Sequence, residues 1–475
     1  MSAPLLWIIL PGFIAIGLYI IRQRRNVIFF IALLAALFLA WLAWRLPIGE
    51  PIALHLWPGF PAFKVGESLA IFNRPLELDN LHRPALMMIY LGIGFWFGGA
   101  YQAGVDRLFI PLGLGIAALL TASLAVSPVY YGVLIAEVVA LVCIPILSPP
   151  GKPLNRGVLR FLVFQTLGVG LILLGDLSLP VIGVASENPS ELSPVSLLIG
   201  LGFLLMIGAF PFHTWIPMVI EQANPYASIF VFYIVPTTLL LLSLEYLSRY
   251  TRLGLPLSVY TSLRPIGVLM ILTAGAWAAF ERHLGRILGF AAILQIGNAL
   301  LAISLGDRTS QASSLVGLFF AQLLPQAIGL AVWALALCVI RDNQGDLRFD
   351  AVRGKAYHLP LATINLVLAN FSLAGLPLLA SFPVDLALWS GLAQRSLGIA
   401  LLVLLGNIFL FIAAVRTLMV LLNSSSQDSW HISERNWQGV LLSLGTIMLF
   451  VVGLMPQWFI PALTNMGMIF SGASP

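Results

Sequence analysis

The chain has 475 residues, of which 60% are hydrophobic and 9% charged, with a mean hydropathy of +0.98 and a formal net charge of +5. Soluble domains average about 25% charged residues, so this composition excludes a large soluble core and indicates an all-α, polytopic membrane protein. The two cysteines, Cys143 and Cys338, lie inside apolar runs, which excludes a disulfide framework or a cysteine metal cluster. The positive charge does not require nucleic acid, because cations also gather on the cytoplasmic side of membrane proteins.

Fourteen spans are predicted, at about 4–22, 27–45, 80–100, 107–126, 128–147, 158–178, 194–218, 225–247, 263–280, 284–305, 314–340, 358–394, 397–422 and 438–460. Most approach the roughly 20 residues that cross a bilayer. The first has its cations (Arg22, Arg24, Arg25) after it rather than before, as an uncleaved helix would. An even count puts both termini on one side; with that side outside, the inward loops and helix ends carry 15 of the 24 Lys and Arg, so both termini are expected on the non-cytoplasmic side. The connection 46–79 contains Trp57-Pro58-Gly59-Phe60-Pro61 and is expected to be an ordered external loop or hairpin. The organisation expected is an N-terminal unit (1–106), two five-helix units (107–247 and 263–422), and a last helix with the C-terminus (438–475).

Two spans carry the same interruption: Ala209-Phe-Pro211-Phe-His-Thr-Trp-Ile-Pro217 and Gly375-Leu-Pro377-Leu-Leu-Ala-Ser-Phe-Pro383. They stand an odd number of spans apart, so they cross in opposite directions and form an inverted repeat. Helix breaks at membrane depth survive where they are buried in protein or line a hydrated cavity, and paired interrupted helices point to an ion path near the midplane. Pro211, Pro217, Pro377 and Pro383 are the expected break positions.

These segments resemble the antiporter-like proton-channel subunits of respiratory complex I, its photosynthetic and hydrogenase relatives, and the multisubunit cation/proton antiporters. Phe210 to Pro217 with Ala223-Asn224-Pro225 resembles the broken seventh helix and its link to the eighth. Leu288-Gly-Phe-Ala-Ala-Ile-Leu-Gln-Ile-Gly297 resembles the tenth-helix motif, and Ser372-Leu-Ala-Gly-Leu-Pro377 with Phe382 the broken twelfth helix. Glu137 stands where the family has its fifth-helix glutamate. The likeness runs from Leu78-Asp79 to Gly453-Leu-Met-Pro456.

The resemblance implies proton transfer through buried lysines, whose pKa is lowered by desolvation and raised by a nearby carboxylate. This chain departs from that pattern. Its only lysines, Lys64, Lys152 and Lys355, fall in predicted loops. Met206 replaces the seventh-helix lysine and Thr237 the eighth-helix one. Gln322-Leu-Leu-Pro-Gln326 replaces the eleventh-helix His-x-x-x-Lys, and Asp385 stands at the twelfth-helix position.

The remaining candidates each have two readings. Glu137 is a proton relay, with His213 as a candidate partner, or a neutral hydrogen-bonded relic. Asp385 is a proton exit or a helix cap. His213 has a pKa suited to relay, and buried histidines are also ordinary core residues. Gln322 and Gln326 hold water or act as interhelical polar glue. No phosphate loop, Cys-x-x-Cys or haem-type histidine pair occurs, so the chain is expected to bind no cofactor and no metal and to have no catalytic residue of its own. Redox cofactors are expected on partner subunits.

The resemblance thus implies a membrane subunit of a complex I-like NAD(P)H/ferredoxin:quinone oxidoreductase in a bacterial plasma membrane or thylakoid, contributing to proton translocation with a depleted set of carriers. Its partners would be other membrane subunits and the lipid bilayer. Two alternatives stay open: a non-conducting structural subunit, and a stand-alone or two-component ion or inorganic-carbon transporter.

Overall fold

The computed structural model describes residues 2–52, 63–71, 73–151, 155–182, 194–252, 258–305, 312–423 and 433–470. A π-helical turn (Leu5–Ile9) opens into α1 (Leu10–Ile20), and α2 (Arg25–Arg45) returns from it. Next come α3 (Arg83–Ala100), α4 (Phe109–Ala125), α5 (Tyr130–Leu147) and α6 (Arg156–Ile182), then the interrupted pair α7 (Pro194–Ile207) and α8 (Trp215–Gln222). The helices α9 (Pro225–Arg252), α10 (Ser258–Phe280), α11 (Leu284–Ser304) and α12 (Ala312–Gln344) lead through the short α13 (Phe349–Val352) to a second interrupted pair, α14 (Pro360–Leu373) and α15 (Phe382–Arg395). The described fold ends with α16 (Leu397–Leu422), α17 (Asn436–Leu454) and α18 (Ile460–Phe470).

A helix or a pair of half-helices lies at every predicted span. Among the described residues, ten helical stretches are long and apolar enough to cross a membrane, one of them the whole interrupted segment Pro194–Gln222. Their burial separates centre from periphery: the apolar windows of α9, α11 and α12 are 89%, 94% and 94% buried, against 39% for α2 and 28% for α17. A helix apolar all round is a core helix, so these three form the axis on which both interrupted helices rest.

Close packing rests on glycine. A Cβ on Gly168 of α6 would lie 2.7 Å from the Gly202 carbonyl of α7, and one on Gly202 would lie 2.7 Å from the Gly168 carbonyl. Small residues of this kind let membrane helices approach backbone to backbone.

The proline expectations need one correction. Pro217 lies in the first turn of α8 and Pro383 in the first turn of α15, so neither interrupts a helix. Each begins the second half, where the missing N–H has no intrahelical partner to lose. The interruptions themselves span Gly208 to Pro211 and Ala374 to Ser381. They hold left-handed residues at Gly208 (φ 74°), Gly375 (φ 79°) and Leu378 (φ 74°). The last predicted span, 438–460, also divides. A residue before proline is pushed out of the helical region, so α17 stops before Met455-Pro456, and α18 then lies across α12, where a Cβ on Gly317 would sit 3.1 Å from Thr464 Cα.

In the 46–79 connection, β1 (Pro51–Ile52) pairs antiparallel with β2 (Phe63–Lys64), and β3 (Ser68–Ile71) pairs with β4 (Arg74–Glu77) about a turn with Asn73 at φ 62°. Trp57 to Pro61 lie outside the described residues, as does Lys152. Lys64 is on β2, and Lys355 opens a short 3-10 turn.

Candidate proton path

At the first break, α7 loses its hydrogen-bond ladder at Ile207. The Gly208 amide returns to Leu205 O (3.2 Å) and the Ala209 amide to Leu204 O (2.8 Å). The Met206 carbonyl is capped from α6 instead: Gln165 Nε2 donates to it at 2.6 Å. Met206 itself is 1% exposed, so an apolar thioether fills the space at the end of the half-helix.

His213 lies in the short 3-10 turn Phe212–Thr214 that joins the halves. It is buried, its ring stacks on Phe210 with centroids 5.8 Å apart, and its Nδ1 is buried without a hydrogen-bond partner. The expected pairing with Glu137 does not form. Glu137 Oε1 instead accepts from Thr166 Oγ1 of α6 at 2.6 Å, while Oε2 is buried without a partner. The reason is orientation: Glu137 is only half buried and points to the outer face of α5 and α6, among exposed Leu134, Val138, Val163 and Leu167. Thr237 is half buried on α9, one residue before buried Thr238, whose hydroxyl returns to Ile234 O at 2.9 Å.

The second break gathers far more polarity. Gln326 Nε2 approaches both Gln322 Oε1 and the Gln295 carbonyl at 3.5 Å. Gln295 Oε1 accepts from Asn298 Nδ2 at 3.4 Å, and Gln295 Nε2 donates to the carbonyl of Leu373, the last residue of α14, at 2.9 Å. One residue back, Ser372 Oγ accepts from the Ser381 amide across the break (3.4 Å), and the Ser381 carbonyl accepts the Asp385 amide (2.9 Å). Asp385 is 3% exposed, and a Cβ on Gly375 would lie 3.3 Å from its Oδ2. Gln322, Gln326, Gln295 and Asn298 thus form one buried polar cluster on the end of α14, and Asp385 lies on the far side of the same break, tied to it through its backbone amide.

Six buried polar atoms on the helices around this break have no hydrogen-bond partner: Gln322 Nε2, Asn298 Oδ1, both side-chain heteroatoms of Asn370, Ser381 Oγ and Asp385 Oδ2. Buried polar groups are ordinarily satisfied. Lys and Arg are absent from the buried polar and charged side chains described, in which the acids and histidines are Asp385, His213 and His283. Gln165, Thr166, Asn298, Asn370 and Ser381 are not among the residues predicted from sequence. Their shared signal is a polar side chain within an apolar run, which flags burial without saying what it faces. Asn224, part of the link motif, serves structure: its Oδ1 caps α9 through Tyr226 N (3.0 Å) and Ala227 N (3.1 Å), and its Nδ2 reaches Ala103 O (3.0 Å).

A central trio of buried helices, two interrupted helices leaning on it and a buried polar cluster at one interruption define an integral, multi-pass, antiporter-like membrane protein. Residues 161–411 match the family described as NADH:quinone oxidoreductase/Mrp antiporter, TM, and the chain belongs to that family. It is 22% identical over 433 residues to NADH-quinone oxidoreductase subunit N of Pelagibacter ubique, covering 85% of this chain and 88% of the relative. With subunit N of Coxiella burnetii it shares 21% identity over 468 residues, 92% of each chain. Similar folds occur in a chain of the membrane-bound sulfane sulfur reductase, an archaeal respiratory membrane complex (TM-score 0.75, 16% identity, 99% of this chain and 98% of that one). They also occur in the Mrp complex from Dietzia (TM-score 0.75, 16% identity, 99% and 97%) and in respiratory complex I from Thermus thermophilus (TM-score 0.70, 18% identity, 99% and 98%).

Proposed function

We propose that this chain is a membrane subunit of a complex I-like quinone oxidoreductase assembly and carries protons through the polar groups at its second break. Redox cofactors belong to partner subunits. The observation that carries this reading is the run of unpartnered buried polar atoms from Gln322 to Asp385. Amides and hydroxyls can order a file of water but cannot hold a charge themselves, so a carboxyl must load or unload it. Asp385 stands at one end of the run in that role. Glu137 contributes from the outer face of α5 and α6, where a carboxylate at membrane depth is costly unless a neighbouring subunit supplies a partner.

The test is redox-driven proton uptake by the intact assembly carrying Asp385→Asn or Glu137→Gln. The reading expects fewer protons per electron from Asp385→Asn, and unchanged stoichiometry in both variants would overturn it. A second reading, a non-conducting structural subunit, is favoured by one observation: the buried side chains described include no Lys or Arg. On that reading both variants assemble and pump as the parent does.

A further inference from the structure

We infer that the arginine cleft between the α1–α2 turn and the α3–α4 loop is a binding site for the headgroup of an anionic phosphodiester lipid. The inference does not depend on proton conduction. Arg22 and Arg25 come from one helical hairpin and Arg107 from the next, and all three line the same cleft, with Phe29 and Ile110 in its wall. The three arginines are exposed, and no carboxylate among the described residues forms an ion pair with them.

The one acid in the cleft is already engaged. Asp106 Oδ1 accepts the Leu108 amide at 2.9 Å and so closes the turn into α4. Arg22 lies with its guanidinium 4.6 Å over the Tyr19 ring, which fixes its direction without neutralising it. Cations that only set membrane orientation have no need to converge. Here two hairpins bring three planar donor groups to one concavity, an arrangement suited to phosphate oxygens.

The apolar surroundings identify the source of the phosphate. The cleft lies at helix ends and adjoins the exposed side of α2, where Val27, Phe30, Ile31 and Leu34 are 43%, 61%, 42% and 65% exposed. A free phosphate gains nothing from that stripe, whereas an acyl chain runs along it while its headgroup meets the arginines. Basic pockets beside membrane helices recognise anionic lipids through this combination.

The test compares the purified full chain in nanodiscs of phosphatidylcholine with and without phosphatidylglycerol, reading the lipid retained on the protein by native mass spectrometry. The parent should retain phosphatidylglycerol over phosphatidylcholine. Each substitution among Arg22→Gln, Arg25→Gln and Arg107→Gln should lower that retention about fivefold. Arg24→Gln, which removes a charge from the same turn outside the cleft, should leave it unchanged. Arg107→Gln, which lies on the second hairpin, keeps the test decisive if a substitution in the α1–α2 turn prevents insertion. Equal retention of the two lipids by the parent, an equal loss in Arg24→Gln, or displacement of the lipid by inorganic phosphate at matched concentration would each overturn the inference.

Discussion

Replacing Gln295 with leucine isolates the contact that holds the broken end of α14. In the parent, Gln295 Nε2 donates to the Leu373 carbonyl at 2.9 Å. The amides that follow Leu373 are committed to other carbonyls: Ala374 to Asn370 (2.9 Å), Gly375 to Ser372 (3.0 Å) and Leu376 to Phe371 (3.0 Å). Leu373 therefore depends on a side chain from α11. An orphaned buried carbonyl costs about 1–3 kcal/mol, while side-chain hydrogen bonds between membrane helices average about 0.6 kcal/mol. The Asn298 contact, lost in the same substitution, is long at 3.4 Å and adds little. Leucine nearly matches the volume of glutamine, so the cavity contribution is small. The expected destabilisation is about 1–3 kcal/mol, or about 5- to 150-fold in the folded-to-unfolded ratio. Denaturant unfolding in mixed micelles reads it directly, with Asn298→Leu, which spares the Leu373 contact, as the milder comparison. A change below twofold for Gln295→Leu, or an equal effect from Asn298→Leu, would refute the idea that one amide caps the half-helix.

Two other substitutions test separate parts of the molecule. Gly202→Ala should cost about 1–3 kcal/mol, because its methyl would sit 2.7 Å from a backbone carbonyl of α6 that cannot swing aside; thermal unfolding of the variant checks this. At the entrance to α3, Asp79 is partly desolvated, which alone would raise its pKa. The His82 side chain at 2.7 Å and the backbone amides of Leu81 and His82 outweigh that and hold it below the ordinary 3.8. A lowered carboxyl pKa means stability that is present above the unfolded value and lost as pH falls through the folded one. Asp79→Asn should therefore destabilise the protein at neutral pH, and its gap from the parent should close on acidification below about pH 4. A gap that stays constant down to low pH would show that the carboxylate charge is not what stabilises this turn.

The placement of the breaks was legible in part. The paired Pro motifs located both interruptions, because a proline deep in a long apolar run removes a helix hydrogen bond and crowds the preceding turn. They did not distinguish the proline that breaks a helix from the one that starts its second half. Pro217 and Pro383 satisfy the first-turn rule, while glycines with positive φ at Gly208 and Gly375 do the turning. Likewise, Met455-Pro456 lay within one predicted span and in fact separates α17 from α18.

The candidate site was legible in its chemistry and not in its connections. That the interior lacks lysine follows from the sequence alone, because all three lysines lie away from apolar runs. So does membrane residence, since hydropathy summed over 20-residue windows is a local property that needs no fold. Which side of its helix a polar residue occupies is not local, because it depends on which neighbour packs there. Glu137 and Gln295 look alike along the chain, each a polar residue inside an apolar run. Packing sends Glu137 to the outer face with Thr166 and places Gln295 at the centre of the second break, linked to Gln326, Asn298 and Leu373. Composition determined that this chain lives in a bilayer and carries few charges there, and only the tertiary structure decided which of its neutral groups meet.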